Sequence, residues 1–121
     1  MLIKELINKN GNTVDYCLVN GFQVKIRKAK IEVIYDGKHI KIIPYDKLGR
    51  DTGNSFSISL KRYGEKQYYE YSNWWDRTKV RVYFSKDDAY NYAIQKLRTQ
   101  RQEINKKMLK LQIEWQNNNE R

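Results

Sequence analysis

Apolar and polar residues alternate with a period of two along much of the chain up to Phe84, and recur at spacings of four and three beyond it. The first pattern is that of half-buried strands, the second that of a helix with one apolar stripe. Val14 to Val19 reads as a strand and Asn20-Gly21 as a type I′ hairpin turn, which sets Val19 opposite Phe22 and Cys17 opposite Val24. Phe22, Val24 and Ile26 are apolar at even positions, whereas Ile31, Val33 and Tyr35 are apolar at odd ones. A strict period of two cannot hold both sets on one face, so a bulge or bend is expected near Arg27 to Lys30. Asp36-Gly37 predicts a second I′ turn pairing Val33 with Ile40, Ile31 with Ile42 and Glu32 with Lys41. Pro44 ends that strand, and Tyr45 to Asn54 is a polar, glycine-containing loop.

Phe56 to Arg62 alternates with Phe56, Ile58 and Leu60 inward, and Gly64-Glu65 as a II′ turn pairs Tyr63 with Lys66 and Lys61 with Tyr68. Ile58 and Leu60 then meet Tyr69 and Tyr71 on the core side. Asn73 to Thr78 is a loop, and Lys79 to Phe84 is a last strand with Val80, Val82 and Phe84 inward. Leu2 to Ile7 fits a short strand or one helical turn, and is read as the strand, ahead of a turn at Asn8 to Asn12.

From Ser85 onward there is neither Gly nor Pro. Ser85 is a good N-cap with Asp88 as its capping-box partner, and Asp87 and Asp88 complement the helix dipole. A helix from Lys86 to Asn117 is ~48 Å long, more than the width of a domain this size. Tyr90, Ile94, Leu97, Arg101, Ile104, Met108, Leu111 and Trp115 form a heptad seam, widened by Ala89 and Ala93 where the helix is expected to cover the sheet. The distal group Met108, Leu109, Leu111, Ile113 and Trp115 is a candidate contact for a second copy of the chain or another protein. If the helix bends over a large sheet, the same residues are core. The expected architecture is α+β: a curved antiparallel sheet or small barrel of six to eight strands followed by one long C-terminal helix. The chain is read as a single domain, 1–121, with a β-rich body over 1–84 and the helix with a short polar tail over 85–121.

Composition adds a functional class. The 121 residues are 40% hydrophobic, enough for one modest core, and carry a formal net charge of +10. Such an excess favours polyanions: DNA, RNA or a membrane surface. No stretch approaches the ~18 apolar residues of a membrane span. A single cysteine excludes an intrachain disulfide and, with no signal-like N-terminus, points to a cytoplasmic protein. Richness in Lys, Asn, Ile and Tyr is the composition that AT-rich coding produces.

Catalysis is not expected. Cys17 and His39 are the only nucleophile–base pair to consider, and the strand reading turns Cys17 inward and His39 outward. One cysteine and one histidine are too few for a zinc site, and no phosphate-binding glycine loop is present, so neither metal nor cofactor is predicted. Asp36-Gly-Lys38, with Asp46 nearby, has the acid-x-Lys form of metal-dependent nucleases, but a hairpin turn accounts for it.

Basic and aromatic residues interleave instead. Lys61, Tyr63, Lys66 and Tyr68 are expected on one outer face with Lys79, Arg81 and Tyr83, the arrangement in which bases stack on rings while cations hold phosphates. Trp74, Trp75 and Arg77 lie at its rim, where the tryptophans either extend the stacking platform or plug the barrel end. Lys25, Arg27, Lys28 and Lys30 form a further basic cluster at the expected bend.

At Lys79-Val-Arg-Val-Tyr-Phe-Ser-Lys-Asp-Asp-Ala89 and on to Leu97, the chain resembles small accessory proteins of phages of low-GC bacteria, in which a β-rich body ends in a strand and Ser/Thr-Lys-acid-acid-Ala opens a helix. The resemblance implies a nucleic-acid-binding factor or an inhibitor of host defence such as an anti-CRISPR protein, and carries over no site residue. The expected functions are therefore non-enzymatic nucleic-acid or nucleoprotein binding, inhibition of a host nuclease by occupancy, or assembly through the helix.

Overall fold

The computed structural model describes residues 1–119. Strands β1 (Thr13–Asn20), β2 (Gln23–Ile34), β3 (His39–Pro44), β4 (Phe56–Ser59), β5 (Tyr68–Ser72) and β6 (Lys79–Tyr83) form one antiparallel sheet in the order β4-β3-β2-β1-β6-β5. A 3-10 helix (Ile3–Lys9) precedes them, a single turn α1 (Leu60–Tyr63) follows β4, and the long helix α2 (Lys86–Asn119) ends the chain. The sheet curls until it is nearly a closed barrel. Its edge strands meet through rings: Phe56 of β4 stacks on Tyr69 of β5 at 5.4 Å, and Tyr63 of α1 meets the same ring edge-on at 5.0 Å. The α+β class, the strand number and the long terminal helix agree with the hydropathy pattern.

Three local expectations are corrected, two by a spacing of three where two was read. Leu2 to Ile7 is helical because Ile3 and Leu6, both buried, lie one 3-10 turn apart. This helix closes one end of the barrel and is held there by hydrogen bonds from the Ile3 and Lys4 amides to the Lys66 and Gly64 carbonyls, at 2.8 and 3.0 Å. Likewise Leu60 and Tyr63, three residues apart, both pack on the core, so the chain turns at Leu60 and β4 ends at Ser59. No Gly64 hairpin forms; β5 pairs with β6 at the opposite edge of the sheet. In the first hairpin the two-residue loop is Gly21-Phe22, with Val19 opposite Val24 and Cys17 opposite Ile26. Gly21 alone takes a positive φ, +61°, the requirement of a II′ rather than a I′ turn. The second hairpin has the expected register, Val33 with Ile40 and Ile31 with Ile42, and Asp36 and Gly37 both take positive φ.

The phase change along β2 has a different cause from the one the sequence suggests. Its register with β1 runs unbroken from Gln23 to Lys30, without a bulge. What changes is the face that is covered. Ala29 and Ile31, at odd positions, face the barrel interior with Tyr16, Ile40, Ile42, Ile58, Val82 and Phe84. Val24 and Ile26, at even positions, face outward and pack with Cys17, Val19 and Tyr83 beneath Ala89 and Ala93 of α2. The sheet thus has two apolar layers, one inside the barrel and one under the helix.

Only the first turns of α2 are docked. Ala89 and Ala93 are buried and Tyr92 is half-buried, while every described residue from Ile94 onward is exposed. Short side chains at Ala89 and Ala93 let the helix sit close to the sheet. The expectation that the heptad seam itself covers the sheet is corrected: Tyr90, Ile94 and Leu97 lie roughly 110° around the helix from the docked face and are 45–47% exposed. The expectation of a capping box at Asp88 is also corrected, since its carboxylate accepts from the Met1 amine at 2.6 Å.

The docked turns are pinned by Arg81. Its guanidinium lies 3.9 Å from the ring centroid of Tyr68 on β5 and 4.0 Å from that of Tyr92 on α2. Its Nε donates to Glu70 Oε2 at 3.0 Å and its Nη1 to the Tyr83 hydroxyl at 3.1 Å. Replacing Arg81 with Ala removes two cation–π contacts and leaves Glu70 and Tyr83 without these donors. We expect Arg81→Ala to lower unfolding free energy by about 2 kcal/mol in urea titrations. Arg98→Ala, on the undocked helix, should stay within about 0.5 kcal/mol of the parent. Equal effects of the two changes would contradict the pin.

Candidate nucleic-acid interface

The outer face read from the sequence is divided by the fold. Tyr68, Arg81 and Tyr83 do share it, together with Glu70, but α2 lies over them: Tyr83 is buried and Arg81 is committed to the contacts above. Burial works against the Arg81 charge, yet the Tyr83 hydroxyl and the Glu70 carboxylate hold its pKa above the ordinary value. Burial pushes the Tyr83 hydroxyl up as well. These side chains hold the helix. Lys79 remains exposed beside Glu70, at 3.9 Å. Lys61, Tyr63 and Lys66 leave this face, because the α1 turn carries them to the edge near the N-terminal helix, with Lys66 5.5 Å from the Tyr63 ring centroid.

The basic cluster on β2 is likewise split, since the strand is straight where a bend was expected. Lys28 and Lys30 point outward and pair with Asp15 at 2.6 Å and Glu32 at 3.8 Å. Lys25 and Arg27, opposite Leu18 and Tyr16 in the β1 register, point to the inner face. Among the described residues neither joins an ion pair, and the one hydrogen bond that Arg27 makes is from Nη1 to the carbonyl of Ile26 at 2.8 Å.

That inner face carries a cavity. The 3-10 helix closes one end of the barrel; the other end opens into a cavity of about 690 Å³. Tyr16, Leu18 and Phe56 line its floor, Tyr69 and Tyr71 one side, and Arg27 with the Tyr45–Lys47 segment the other. A smaller cavity of about 190 Å³, lined by Lys25, Asn73 and Val80 among others, shares Leu18 and Tyr71 with it. The two adjoin at Leu18 and Tyr71 as one groove, from the loop after β3 to the β5–β6 hairpin, lined by tyrosines and by the cations Arg27, Lys47 and Lys25. Burial raises the hydroxyl pKa of Tyr16 and Tyr71. Asp46, at the rim, is not a free acid: it accepts from the amides of Leu48 and Arg50 and from the Arg50 side chain at 2.8–3.0 Å.

The groove ends at the loop between β5 and β6. Trp74 and Trp75 are 81% and 84% exposed, edge-to-face at 4.8 Å, so neither plugs the barrel. The loop that carries them is internally bonded. The Asn73 amide meets the Thr78 carbonyl at 2.6 Å, and the Thr78 hydroxyl and amide donate to Asp76 Oδ1 at 2.7 and 3.0 Å. Arg77 takes a left-handed φ of +59° within it.

The inner tyrosines Tyr16, Tyr69 and Tyr71, and Lys47, were not singled out by sequence reasoning. Their alternation marked Tyr69 and Tyr71 as inward, hence as core, and only the open mouth of the barrel shows that inward positions there meet solvent. Met108, Leu109, Leu111, Ile113 and Trp115 lie on the projecting helix at 49–64% exposure, with Trp115 at 66%. No described helix is long and apolar enough to cross a membrane.

Compared with protein-family models, curated proteins and solved structures, the chain matches none.

The placement of the candidate nucleophile fixes its reactivity. Cys17 and His39 both lie on the convex side of the sheet, correcting the inward–outward reading, but Cys17 is opposite Ile26 and His39 opposite Ile34, roughly 27 Å apart along β2. Burial pushes the Cys17 thiol from 9.0 to about 11. The folded state therefore disfavours the thiolate, and the contribution of Cys17 to stability falls as pH rises from 9.0 through about 11. At neutral pH we expect a thiol-exchange reagent to modify Cys17 only as fast as the protein opens, with full reaction in denaturant. Immediate reaction of the native protein would contradict its burial under α2.

Proposed function

We propose that this protein is a non-enzymatic accessory factor that binds single-stranded nucleic acid in the open mouth of its barrel and acts by occupancy. The observation that supports the reading is the groove itself: Tyr69 and Tyr71 line it together with Arg27, Lys47 and Lys25 over a floor that includes Tyr16, and it leads to the loop of the exposed Trp74–Trp75 pair. Flat rings offer every base a surface, cations without carboxylate partners are free for phosphates, and a formal charge of +10 supplies long-range attraction. A duplex is too wide for a cleft of this size, which favours unpaired strands. The projecting helix, with its exposed apolar seam, is a protein contact in this reading.

The exposed tryptophan pair favours a second reading, in which the same end of the molecule docks on a host nuclease or nucleoprotein, because paired aromatics are common anchors of protein interfaces. Anisotropy titrations with short DNA and RNA single strands separate the two. Under the first reading Tyr71→Ala and Arg27→Ala each weaken binding by roughly 5- to 100-fold with the fold intact, the loss of one stacked or charged contact. Affinity of the parent protein should fall with salt, and the Arg27→Ala slope should be shallower by about one. Undetectable binding at low salt would reject the first reading and leave the second.

A further inference from the structure

We propose that α2 pairs with α2 of a second copy in an antiparallel coiled coil. The inference rests on reading the exposed seam as a protein contact and names the partner. The seam runs from Tyr90 to Trp115 with Arg101 as its one charged member, and the body does not cover it, because docking uses the face of Ala89 and Ala93 instead. Its apolar members are 45–66% exposed. Their covered area in a pair comes to roughly 700 Å² per chain, about 1,400 Å² in all, which is the size of a stable specific interface.

The seam is complementary to itself in one orientation. Ile94, Arg101, Met108 and Trp115 occupy one heptad position, and Tyr90, Leu97, Ile104 and Leu111 the other. Parallel helices in register set each position against its own kind, so Arg101 would face Arg101 of the second copy, two like charges in a desolvated layer. Antiparallel helices set one position against the other. About a two-fold axis between Gln102 and Glu103, Arg101 meets Ile104, Leu97 meets Met108, Ile94 meets Leu111 and Tyr90 meets Trp115 of the second copy. Every layer then holds an apolar side chain, and the Arg101 stem lies on Ile104 with its charge free to reach water. The flanking positions oppose no like charges: Arg98 meets Asn105, Lys107 meets Gln100 and Glu114 meets Ala93. The two bodies sit at opposite ends of the rod, clear of each other.

The test uses the full-length protein, freed of nucleic acid, in high salt. Sedimentation equilibrium should give a dimer at micromolar concentration, at least tenfold weakened by Ile104→Lys, which sets a second cation against Arg101, and unchanged by Ile113→Lys, which lies off the seam. Leu97→Cys and Met108→Cys variants then report orientation. Under mild oxidation each alone should stay uncross-linked and their mixture should form one covalent heterodimer. A monomer at all concentrations overturns self-pairing and leaves the seam for a different protein. Cross-linking of Leu97→Cys to itself shows that the seam is an interface but overturns the antiparallel arrangement.

Discussion

The Arg81 guanidinium lies between the rings of Tyr68 and Tyr92, with Glu70 and Tyr83 taking up its hydrogen bonds, and the rest of the arrangement follows from where it holds α2. Neither ring nor cation alone would fix a helix. Together they bind β5 and β6 to the start of α2 through a charge that is only partly desolvated, so the cost of burying it stays small while the contacts remain directional. Ala89 and Ala93 then close on Cys17 and Val19, and the convex face near β1 and β6 is sealed. Because this contact lies within the first turns, the remainder of α2 extends past the sheet with its apolar seam uncovered.

With α2 covering the convex face near β1 and β6, the concave face carries the proposed activity. The barrel has an apolar interior at the end closed by Ile3 and Leu6, where Ile31, Ile40, Ile42 and Ile58 are fully buried. Two strand positions further toward the open end, the same inward alternation delivers Arg27 and Lys25 in place of Ala29 and Ile31. A cation inside a closed barrel would be costly; at the mouth, with water on one side, it is tolerated and available. The tyrosines there are held by each other and by Phe56, so in the proposed reading a base would meet ring surfaces already in place.

Much of the architecture was legible in the alternation of the strands, in the Asp36-Gly37 turn and in the uninterrupted helix, because each is a local pattern with one structural meaning. The errors share a cause. Ile3 and Leu6, and Leu60 and Tyr63, sit at a spacing of three within short apolar stretches, where a period of two is easily read instead. The phase change in β2 was visible as a pattern, but its meaning depended on a helix more than fifty residues away, and a bulge was the nearer local explanation. The site was less legible than the fold. Arg81 and Tyr83 satisfy any local rule for a solvent-facing strand, and only tertiary packing shows them covered. Tyr69 and Tyr71 satisfy the rule for core, and only the open end of the barrel shows them lining a groove.

The division of the sheet into an outer face that α2 covers near β1 and β6 and an inner one open at the barrel mouth, with the proposed ligand confined to the latter, is tested most directly by backbone and methyl NMR shifts during titration with a short single strand. The account predicts that shifts concentrate at Leu18, Arg27, Tyr71 and the Asn73–Thr78 loop, while Val19, Ala89 and Ala93 stay in place. Shifts centred on Lys28, Lys30 and the start of α2, with the groove residues silent, would contradict it.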